Sequence, residues 1–254
     1  MTVITQYEPP IARIQLKAPN TLNALNLSMG KIIQAALLDI EANSAIKVVI
    51  LESVVEKAFS VGIDLKEFYT QNTPEYRAEF LETWSSIAKF PKPIVVSLHG
   101  YVFGGGLEIA LIGDVLIAAD NTIFSQPELS VGTIPGLGAT QRLSSRIGML
   151  RANDMIFTAR RIDAQTALNW GLVSQVVPMD QLNQVTTDTA NIIAAKSLPT
   201  LIKAKMALRK SEECILAEGL KDERRLFLST FDLVDQKEGF QAFLQKRPPL
   251  FKDK

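Results

Sequence analysis

The sequence of 254 residues has very few of the side chains that form disulfides or bind soft metals. It contains one cysteine, Cys214, and one histidine, His99. A single cysteine excludes an internal disulfide and fits a reducing compartment. A single histidine leaves little from which to build a histidine-rich metal site, so we expect no metal centre.

The sequence also lacks an excess of charge of either sign and lacks a long apolar run. Lysine plus arginine and aspartate plus glutamate both number 27, so no overall positive field attracts nucleic acid or an anionic membrane. No segment has the roughly eighteen uncharged apolar residues of a membrane span, and the N-terminus has no signal-peptide pattern. These absences predict a cytoplasmic protein, or a mature matrix enzyme, that has neither nucleic acid nor a membrane as partner.

The sequence does have enough apolar residues, 47% of the total, for one large domain or one domain with an appendage. Short β-patterned runs alternate with helical ones, which is typical of stacked strand-strand-helix units. From residue 180 onward the pattern is almost wholly helical. We therefore predict an α/β fold with a core over residues 1–195 and a helical C-terminal region over residues 196–254.

Individual elements can be predicted where the hydrophobic period is clear. One helix is predicted from Ser28, as N-cap, to about Ala42, and another from Pro74 to about Phe90. After about Gly136 the strand signal weakens. Strands are predicted over residues 3–6 and 12–16, as a hairpin, and over residues 47–51, 93–98, 115–119 and 122–124.

Glu108 occupies an unusual position for a carboxylate. The run from Leu107 to Ala119 is apolar around every face of a helix, apart from Glu108 and Asp114, so we predict that this helix is buried. A buried acid in a first helical turn can be a structural group that free N–H groups of the helix satisfy. It can also be a catalytic group, and the local pattern leaves both interpretations open.

Three glycines, Gly104, Gly105 and Gly106, come immediately before Leu107. Glycines let backbone amides approach a ligand, and a helix N-terminus adds positive potential, so this segment can hold an oxyanion. A tight strand-to-helix turn without a ligand explains the same glycines. No phosphate loop or dinucleotide-binding pattern is present, which argues against a nucleotide cofactor.

A second carboxylate, Glu128, follows in another stretch that is rich in glycine and proline. Two carboxylates in unlike surroundings can serve as general acid and general base on one substrate. The loop over residues 57–67 has a similar character, because Gly62 permits an unusual backbone angle and Asp64 is a good N-cap. An ordinary capped turn has the same local chemistry.

Three segments resemble the core motifs of the enoyl-CoA hydratase/isomerase (crotonase) superfamily in sequence, order and spacing. They are residues 58–67 (AFSVGIDLKE), 100–108 (GYVFGGGLE) and 126–142 (QPELSVGTIPGLGATQR). The resemblance extends to Leu22-Asn-Ala-Leu25, to residues 164–173 and to residues 238–247. It covers essentially the whole chain.

The resemblance implies a spiral of repeated β-β-α units, a helical C-terminal region that forms trimers, and hexamers built as dimers of trimers. It implies an acyl thioester of coenzyme A (CoA) as substrate and no separate cofactor, because CoA is part of the substrate. The oxyanion hole would consist of the backbone N–H groups of Val61 and Gly105. Hydratases of the family have both glutamates, so Glu108 and Glu128 together favour hydration over double-bond migration.

The implied reaction is reversible syn addition of water to a trans-2-enoyl-CoA, giving a 3-hydroxyacyl-CoA, in fatty-acid β-oxidation or related acyl-CoA catabolism. Glu108 would act as the base toward water and Glu128 as the proton donor to the α carbon. Gly136 would close the backbone around water and substrate.

The resemblance also implies where CoA would lie. The adenine and pantetheine groups would follow the loop from Ala58 to Leu65, and Lys17 or Lys57 and a C-terminal lysine such as Lys252 would lie near the phosphates. A solvated surface charge remains the alternative for each lysine. The full set of expected substrate contacts is Ala58, Gly62, Ile63, Asp64, Leu65, Gly104, Gly136, Lys17 and Lys252.

Some positions depart from the family pattern, among them Val96, Gly113, Leu107 and Ala139. They touch no proposed acid or donor, but they leave acyl-chain length and branching open. Residues 246–252 resemble the end of branched-acyl members such as methylglutaconyl-CoA hydratases, which is the nearest alternative. An isomerase and a non-catalytic assembly or RNA-binding subunit are the others, although both acids and the even charge argue against the last.

Overall fold

The computed structural model of the protein describes residues 2–71 and 73–254. Ten strands of the described residues form two sheets, a six-stranded one ordered β1-β2-β3-β5-β7-β10 and a four-stranded one ordered β4-β6-β8-β9. The strands are β1 (Val3–Glu8), β2 (Ile11–Leu16), β3 (Val48–Ser53), β4 (Ala58–Ser60), β5 (Ile94–Leu98), β6 (Tyr101–Phe103), β7 (Val115–Ala119), β8 (Ile123–Ser125), β9 (Ile162–Asp163) and β10 (Gln175–Val177).

Helices follow most pairs of strands and then dominate the C-terminal part of the chain. A 3₁₀ turn, Glu128–Val131, separates β8 from the helices after it. The α-helices are α1 (Leu27–Ala42), α2 (Leu65–Thr70), α3 (Pro74–Ile87), α4 (Gly105–Ala110), α5 (Ala139–Ile147), α6 (Met149–Thr158), α7 (Ala164–Trp170), α8 (Leu182–Ala194), α9 (Leu198–Glu213), α10 (Leu216–Thr230) and α11 (Val234–Leu244).

Successive strands alternate between the two sheets. β3, β5 and β7 lie side by side in the large sheet, and β4, β6 and β8 lie side by side in the small one. All of these neighbours are parallel. Each β-β-α unit therefore adds one strand to each sheet, and the chain advances as a spiral. The α/β fold of repeated units is confirmed.

The first elements agree with the hydrophobic pattern, with one correction. β1 and β2 form the predicted antiparallel hairpin, and α3 begins at Pro74 as predicted but ends at Ile87. The N-cap of α1 is Asn26 and not Ser28, because the Asn26 side chain accepts a hydrogen bond from the N–H of Met29 at 2.8 Å. Ser28 lies inside the first turn of that helix.

The apolar run over residues 107–119 is not one helix. α4 ends at Ala110 and β7 begins at Val115, while Asp114 between them accepts a hydrogen bond from the N–H of Ile94 and pairs with Lys205 at 2.6 Å. The predicted burial of the helix is confirmed, since all six residues of α4 are buried. The sequence gave no signal for the short strands β9 and β10, which are two and three residues long.

Two departures from the family pattern compensate each other in the core. Val96 lies in β5, and Gly113 lies between α4 and β7. A Cβ built on Gly113 would collide with Cγ2 of Val96. The larger side chain on the strand therefore fills the space that the missing side chain leaves, as close packing requires.

The C-terminal helices end in a tail that returns to the core. The expected division at 195/196 falls in the connection between α8 and α9. Asp235, which is buried, accepts hydrogen bonds from the N–H groups of Lys252 and Asp253 at 2.7 and 2.9 Å. Asp253 in turn accepts from the N–H of Leu198 at 2.7 Å. No helix in the described part of the chain is long and apolar enough to cross a membrane.

Candidate active site

The three segments that resemble family motifs meet at one edge of the small sheet. β4, β6 and β8 are adjacent parallel strands, so their carboxyl ends lie side by side. The chain continues from them into residues 61–64, 104–106 and 126–128 respectively. The spiral therefore brings together the glutamates and glycines that the sequence analysis selected.

Glu108 lies in the first turn of α4 and has no exposed surface. Its Oε1 accepts backbone hydrogen bonds from the N–H groups of Leu137 at 2.8 Å and Ala139 at 2.9 Å. Its Oε2 is buried and has no hydrogen-bond partner among the described residues. The segment before α5 thus fixes one oxygen of Glu108 and leaves the other free.

Burial raises the pKa of Glu108 above its ordinary value of 4.5, because a charged carboxylate loses its hydration in the interior. Backbone N–H groups of residues 136–139 oppose this rise by stabilising the carboxylate. These donors belong to another segment of the chain and not to the first turn of α4. The purely structural interpretation, in which the helix satisfies its own acid, therefore does not describe this residue.

Glu128 begins the 3₁₀ turn after β8 and is 9% exposed. Its Oε1 accepts a hydrogen bond from Nε2 of Gln126 at 2.9 Å, and its Oε2 has no partner among the described residues. Desolvation is the main reason that its pKa rises to about 7, and the nearby charge of Glu108 raises this pKa further. Glu128 can therefore hold or release a proton near neutral pH.

The two carboxylates belong to one site. The charge of Glu108 acts on Glu128, and the residue before α4, Gly104, is in direct contact with Glu128. A Cβ built on Gly104 would lie 2.8 Å from Oε1 of Glu128. Gly104 also has a φ of +51°, so both the space and the backbone angle favour glycine there.

Three buried side-chain oxygens in this region have no hydrogen-bond partner among the described residues. They are Oε2 of Glu108, Oε2 of Glu128 and Oε1 of Gln126. A buried polar atom without a partner is costly and is usually explained by a strained, catalytic or ligand-binding function. The arrangement therefore has acceptor atoms available for a polar ligand between the two acids.

Val61 does not fit its predicted function as an oxyanion donor. Its N–H donates to the carbonyl oxygen of Leu22 at 3.2 Å, so this donor is already used within the fold. The contact arises because the loop after β4 runs alongside residues 22–25. The sequence could not reveal this contact, since the two segments lie far apart in the chain.

Ile63 offers the N–H group that Val61 does not. Leu25 donates its N–H to the carbonyl of Gly62 at 2.7 Å and accepts from the N–H of Asp64 at 2.8 Å. Ile63 lies between these two bonds, so its own N–H faces the other way and has no partner among the described residues.

The N–H groups of Ile63 and Gly105 lie close to each other. A Cβ built on Gly105 would be 3.4 Å from the nitrogen of Ile63. Gly105 begins α4, so its N–H has no acceptor within the helix. These are the two free backbone donors next to Glu108.

Asn23 connects residues 22–25 to the oxyanion loop, a function that the sequence analysis missed. It is fully buried and has a φ of +57°. Its Nδ2 donates to Oγ of Ser53 at 2.8 Å and to the carbonyl of Phe59 at 2.9 Å, and its Oδ1 accepts from the N–H of Ala18 at 2.7 Å. In the sequence, only the family resemblance of Leu22-Asn-Ala-Leu25 pointed to this segment.

The other predicted CoA contacts lie on the same loop. Ala58 is buried in β4, and Leu65 is 55% exposed at the start of α2. Asp64 is the N-cap of α2, as predicted. Gly62 has a φ of +101°, and a Cβ built on it would be 3.1 Å from the carbonyl oxygen of Phe103. Gly62 therefore allows the loops after β4 and β6 to approach each other.

The structure does not bring the predicted lysines together within one chain. Lys17 follows the end of β2, which pairs with the end of β3, and Lys57 precedes β4. Lys252 precedes Asp253, whose carboxylate pairs with Lys47 at 2.8 Å, just before β3. A six-residue strand is about 20 Å long, so Lys252 lies at the opposite end of β3 from Lys17.

Two further residues contact the acid-bearing segments and were not selected from the sequence. Gln126 donates to Glu128, and Arg142 Nη1 donates to the carbonyl of Leu137 at 2.9 Å. Both belong to a segment that resembles a family motif, but only the hydrogen bonds reveal what their side chains do. In residues 2–71 and 73–254, no three His, Cys, Asp or Glu side chains are grouped so that they could hold a metal ion.

Comparison with known proteins agrees with this geometry. The profile of the family described as enoyl-CoA hydratase/isomerase matches residues 6–254. The chain is 41% identical over 252 residues to a probable enoyl-CoA hydratase of Rhizobium meliloti (strain 1021), covering 99% of this chain and 98% of that protein. It is 35% identical over 248 residues to a short-chain-enoyl-CoA hydratase of Clostridium acetobutylicum, covering 96% and 95%.

The fold is also that of a solved relative. The crystal structure of an enoyl-CoA hydratase from Bacillus anthracis matches with a TM-score of 0.94 and 32% identity, covering 100% of both chains. The resemblance that the motifs indicated is therefore confirmed. The protein belongs to the enoyl-CoA hydratase/isomerase family.

Proposed function

We propose that the protein is an enoyl-CoA hydratase, which adds water reversibly across the double bond of a trans-2-enoyl-CoA to give a 3-hydroxyacyl-CoA. One observation carries the proposal: two buried carboxylates, each with one bonded and one free oxygen, lie near two free backbone N–H groups. Hydration requires a base, an acid and donors to the thioester oxygen. The names of the similar proteins support the same activity.

In this proposal the N–H groups of Ile63 and Gly105 donate to the thioester carbonyl oxygen. Attack of water on the β carbon moves negative charge onto that oxygen, so the donors stabilise the transition state more than the substrate. Removing one donor of this kind typically costs about 10² to 10³ in rate. Because both donors belong to the main chain, the side chain of residue 63 is free to differ from that of relatives.

The two glutamates divide the proton transfers. Glu108 takes a proton from water through Oε2, the hydroxyl joins the β carbon, and Glu128 gives its proton to the α carbon. The pair has then exchanged protonation states and resets through solvent before the next cycle. The working state carries one proton on the pair, so its apparent pKa values belong to both residues. These steps need no metal and no cofactor beyond the CoA of the substrate.

We propose further that CoA follows the loop of residues 58–65, with its phosphates near Lys17 and Lys57. The substrate is an acyl-CoA from catabolism such as fatty-acid β-oxidation. The balanced charge and the single cysteine support the cytoplasm as the compartment. A panel of linear and branched 2-enoyl-CoAs measures acyl preference, including the branched-acyl alternative.

The first test is the loss of conjugated-thioester absorbance when the protein is added to crotonyl-CoA. We expect Glu108→Gln and Glu128→Gln each to lower kcat by about 10² to 10⁴. Glu52→Gln is the matched control, because its carboxylate pairs with Arg13 and Gln15 in the large sheet. Its rate should equal that of the wild type.

Other outcomes would select another function. No turnover of crotonyl-CoA or of longer and branched enoyl-CoAs would reject the hydratase proposal. Turnover of a 3-enoyl-CoA that survives loss of one glutamate would indicate an isomerase. An inactive protein that binds RNA in a salt-sensitive way would indicate a non-catalytic subunit.

We also propose that the C-terminal helices assemble the protein as a homotrimer, or as a hexamer of two trimers. Phe227, Phe231 and Phe240 contact one another within α10 and α11 and are still exposed in the single chain, as are Phe243 and Leu244. An apolar surface of this kind usually marks an interface. Sedimentation velocity should give a trimer or hexamer, and Phe243→Asp should shift it toward monomer. A monomeric wild type would contradict this proposal.

A further inference from the structure

Arg142 lies behind the segment that holds Glu108. It is in the first turn of α5, and its Nη1 donates to the carbonyl oxygen of Leu137 at 2.9 Å. A Cβ built on Gly138 would collide with Nη1 of Arg142. The guanidinium therefore occupies space that only a glycine at residue 138 leaves open.

The carbonyl that Arg142 holds belongs to the peptide unit between the two donors of Glu108. Those donors are the N–H groups of Leu137 and Ala139, both on Oε1 of Glu108. Peptide units are planar, so fixing the Leu137–Gly138 peptide restricts the orientation of the units on both sides. The φ of Gly138 is +117°, so little in the local backbone preference holds this turn by itself.

We propose that Arg142 is a positioning residue for the reaction, which acts through the Leu137 carbonyl to aim the two N–H groups that hold and orient Glu108. The inference deepens the proposed function, because its main readout is hydration. It does not require Arg142 to touch the substrate. A guanidinium suits this task because its planar fork loses little freedom when it bonds.

The charges around Glu108 determine how the effect would be seen. Glu128 faces it from the 3₁₀ turn, and Arg142 lies behind residues 137–139. At the far end of α4, Arg146 donates to the carbonyls of Leu111 and Gly113, and Asp114 pairs with Lys205 there. Of these groups, Arg142 is the one that bonds the donor segment itself.

The test compares Arg142→Met, which removes the donor, with Arg142→Lys, which keeps a donor and the charge. We expect Arg142→Met to lower kcat about 10- to 100-fold through misplacement of the base, with KM changed less than about twofold. Weaker N–H donation favours the neutral acid, so the acidic limb of the kcat/KM profile should move to higher pH. Arg142→Lys should recover most of both effects.

Arg151→Met is the matched control, since Arg151 also donates to a carbonyl, that of Trp170 at 3.4 Å. It should leave kcat and the pH profile unchanged. Gly138→Ala is a second route to the same displacement and should reproduce Arg142→Met. The proposal is overturned if Arg142→Met keeps the wild-type pH profile, or if it loses activity only in proportion to lost folded protein.

A measurement without turnover separates this inference from the hydratase proposal. Glu108 has a raised pKa, so the folded protein loses stability as pH rises through that pKa. Arg142→Met should carry this loss to higher pH in urea unfolding, and the effect should vanish in the Glu108→Gln background. If crotonyl-CoA is not hydrated but this linkage is seen, the positioning function holds and the proposed reaction fails. Absence of the linkage would reject the positioning function itself.

Discussion

Glu108 and Glu128 are both buried acids of one site, but different parts of the chain hold them. Main-chain N–H groups of residues 137 and 139 hold Glu108, whereas the side chain of Gln126 holds Glu128. A main-chain donor cannot be removed by a substitution, so the ionisation of Glu108 depends on the path of the backbone. A side-chain donor can be removed, so the ionisation of Glu128 can change with one residue.

The comparison breaks most strongly if Glu128 is pushed out of its contact with the start of α4. Gly104→Ala would put a Cβ 2.8 Å from Oε1 of Glu128. We expect kcat for crotonyl-CoA to fall by about 10² or more, since misplacing a catalytic group by 1 Å can have this effect.

Gly148→Ala is the control for backbone strain alone. Gly148 has a φ of +81°, and a Cβ built there meets no atom within 4 Å. We expect a loss of about 1 kcal/mol of stability and a wild-type kcat. Equal activity losses in the two variants would mean that contact with Glu128 is not what makes Gly104 necessary.

The next effect concerns stability against pH. The pKa of Glu128 rises from 4.5 to about 7 on folding, so its contribution is complete below pH 4.5 and is lost as pH rises through 7. Glutamine does not ionise. Glu128→Gln should therefore match the wild type in urea unfolding near pH 4.5 and exceed it by roughly 2 kcal/mol at pH 8. A constant difference across this range would show that Glu128 is not strained by its charge.

A smaller change tests the side-chain donor itself. Gln126→Leu removes the hydrogen bond to Glu128, so the pKa of Glu128 should rise further above its value of about 7. The alkaline limb of kcat/KM should then move to higher pH, with less than about a tenfold loss in kcat. Gln165→Leu, which alters an exposed contact to Asn169 in α7, should move neither. A shift of the acidic limb instead would reverse the assignment of the two acids.

The smallest effect on catalysis is expected in the packing behind α4. Gly113→Ala should cost about 1 to 3 kcal/mol of stability through collision with Val96. Adding Val96→Ala should recover part of this loss, because it makes room for the new methyl group. The kcat of both variants should stay close to wild type, since Glu108 is held from residues 137–139. A large fall in kcat would mean that packing also positions this acid.

The sequence predicted what depends on local pattern. The long apolar runs predicted β3, β5 and β7, and the family motifs identified Glu108, Glu128 and the glycines before α4. It also predicted the cap at Asp64, because capping depends on a few adjacent residues.

What it could not predict depends on contacts between distant residues. The direction of the Ile63 N–H follows from pairing with Leu25, so Val61 was the wrong choice of free donor. Asn26 replaced Ser28 as N-cap because two capping residues compete within one turn. The contact of Arg142 with Leu137 depends on the left-handed turn at Gly138, which the letters alone do not specify.

The alternation of strands between the two sheets also separates the chemical tasks along the chain. The first unit ends with the N–H of Ile63, the second with Gly105 and Glu108, and the third with Glu128. An insertion or substitution in one of these connections alters one chemical group and leaves the strands that support the others in register. The architecture therefore offers evolution three largely independent adjustments of a single reaction centre.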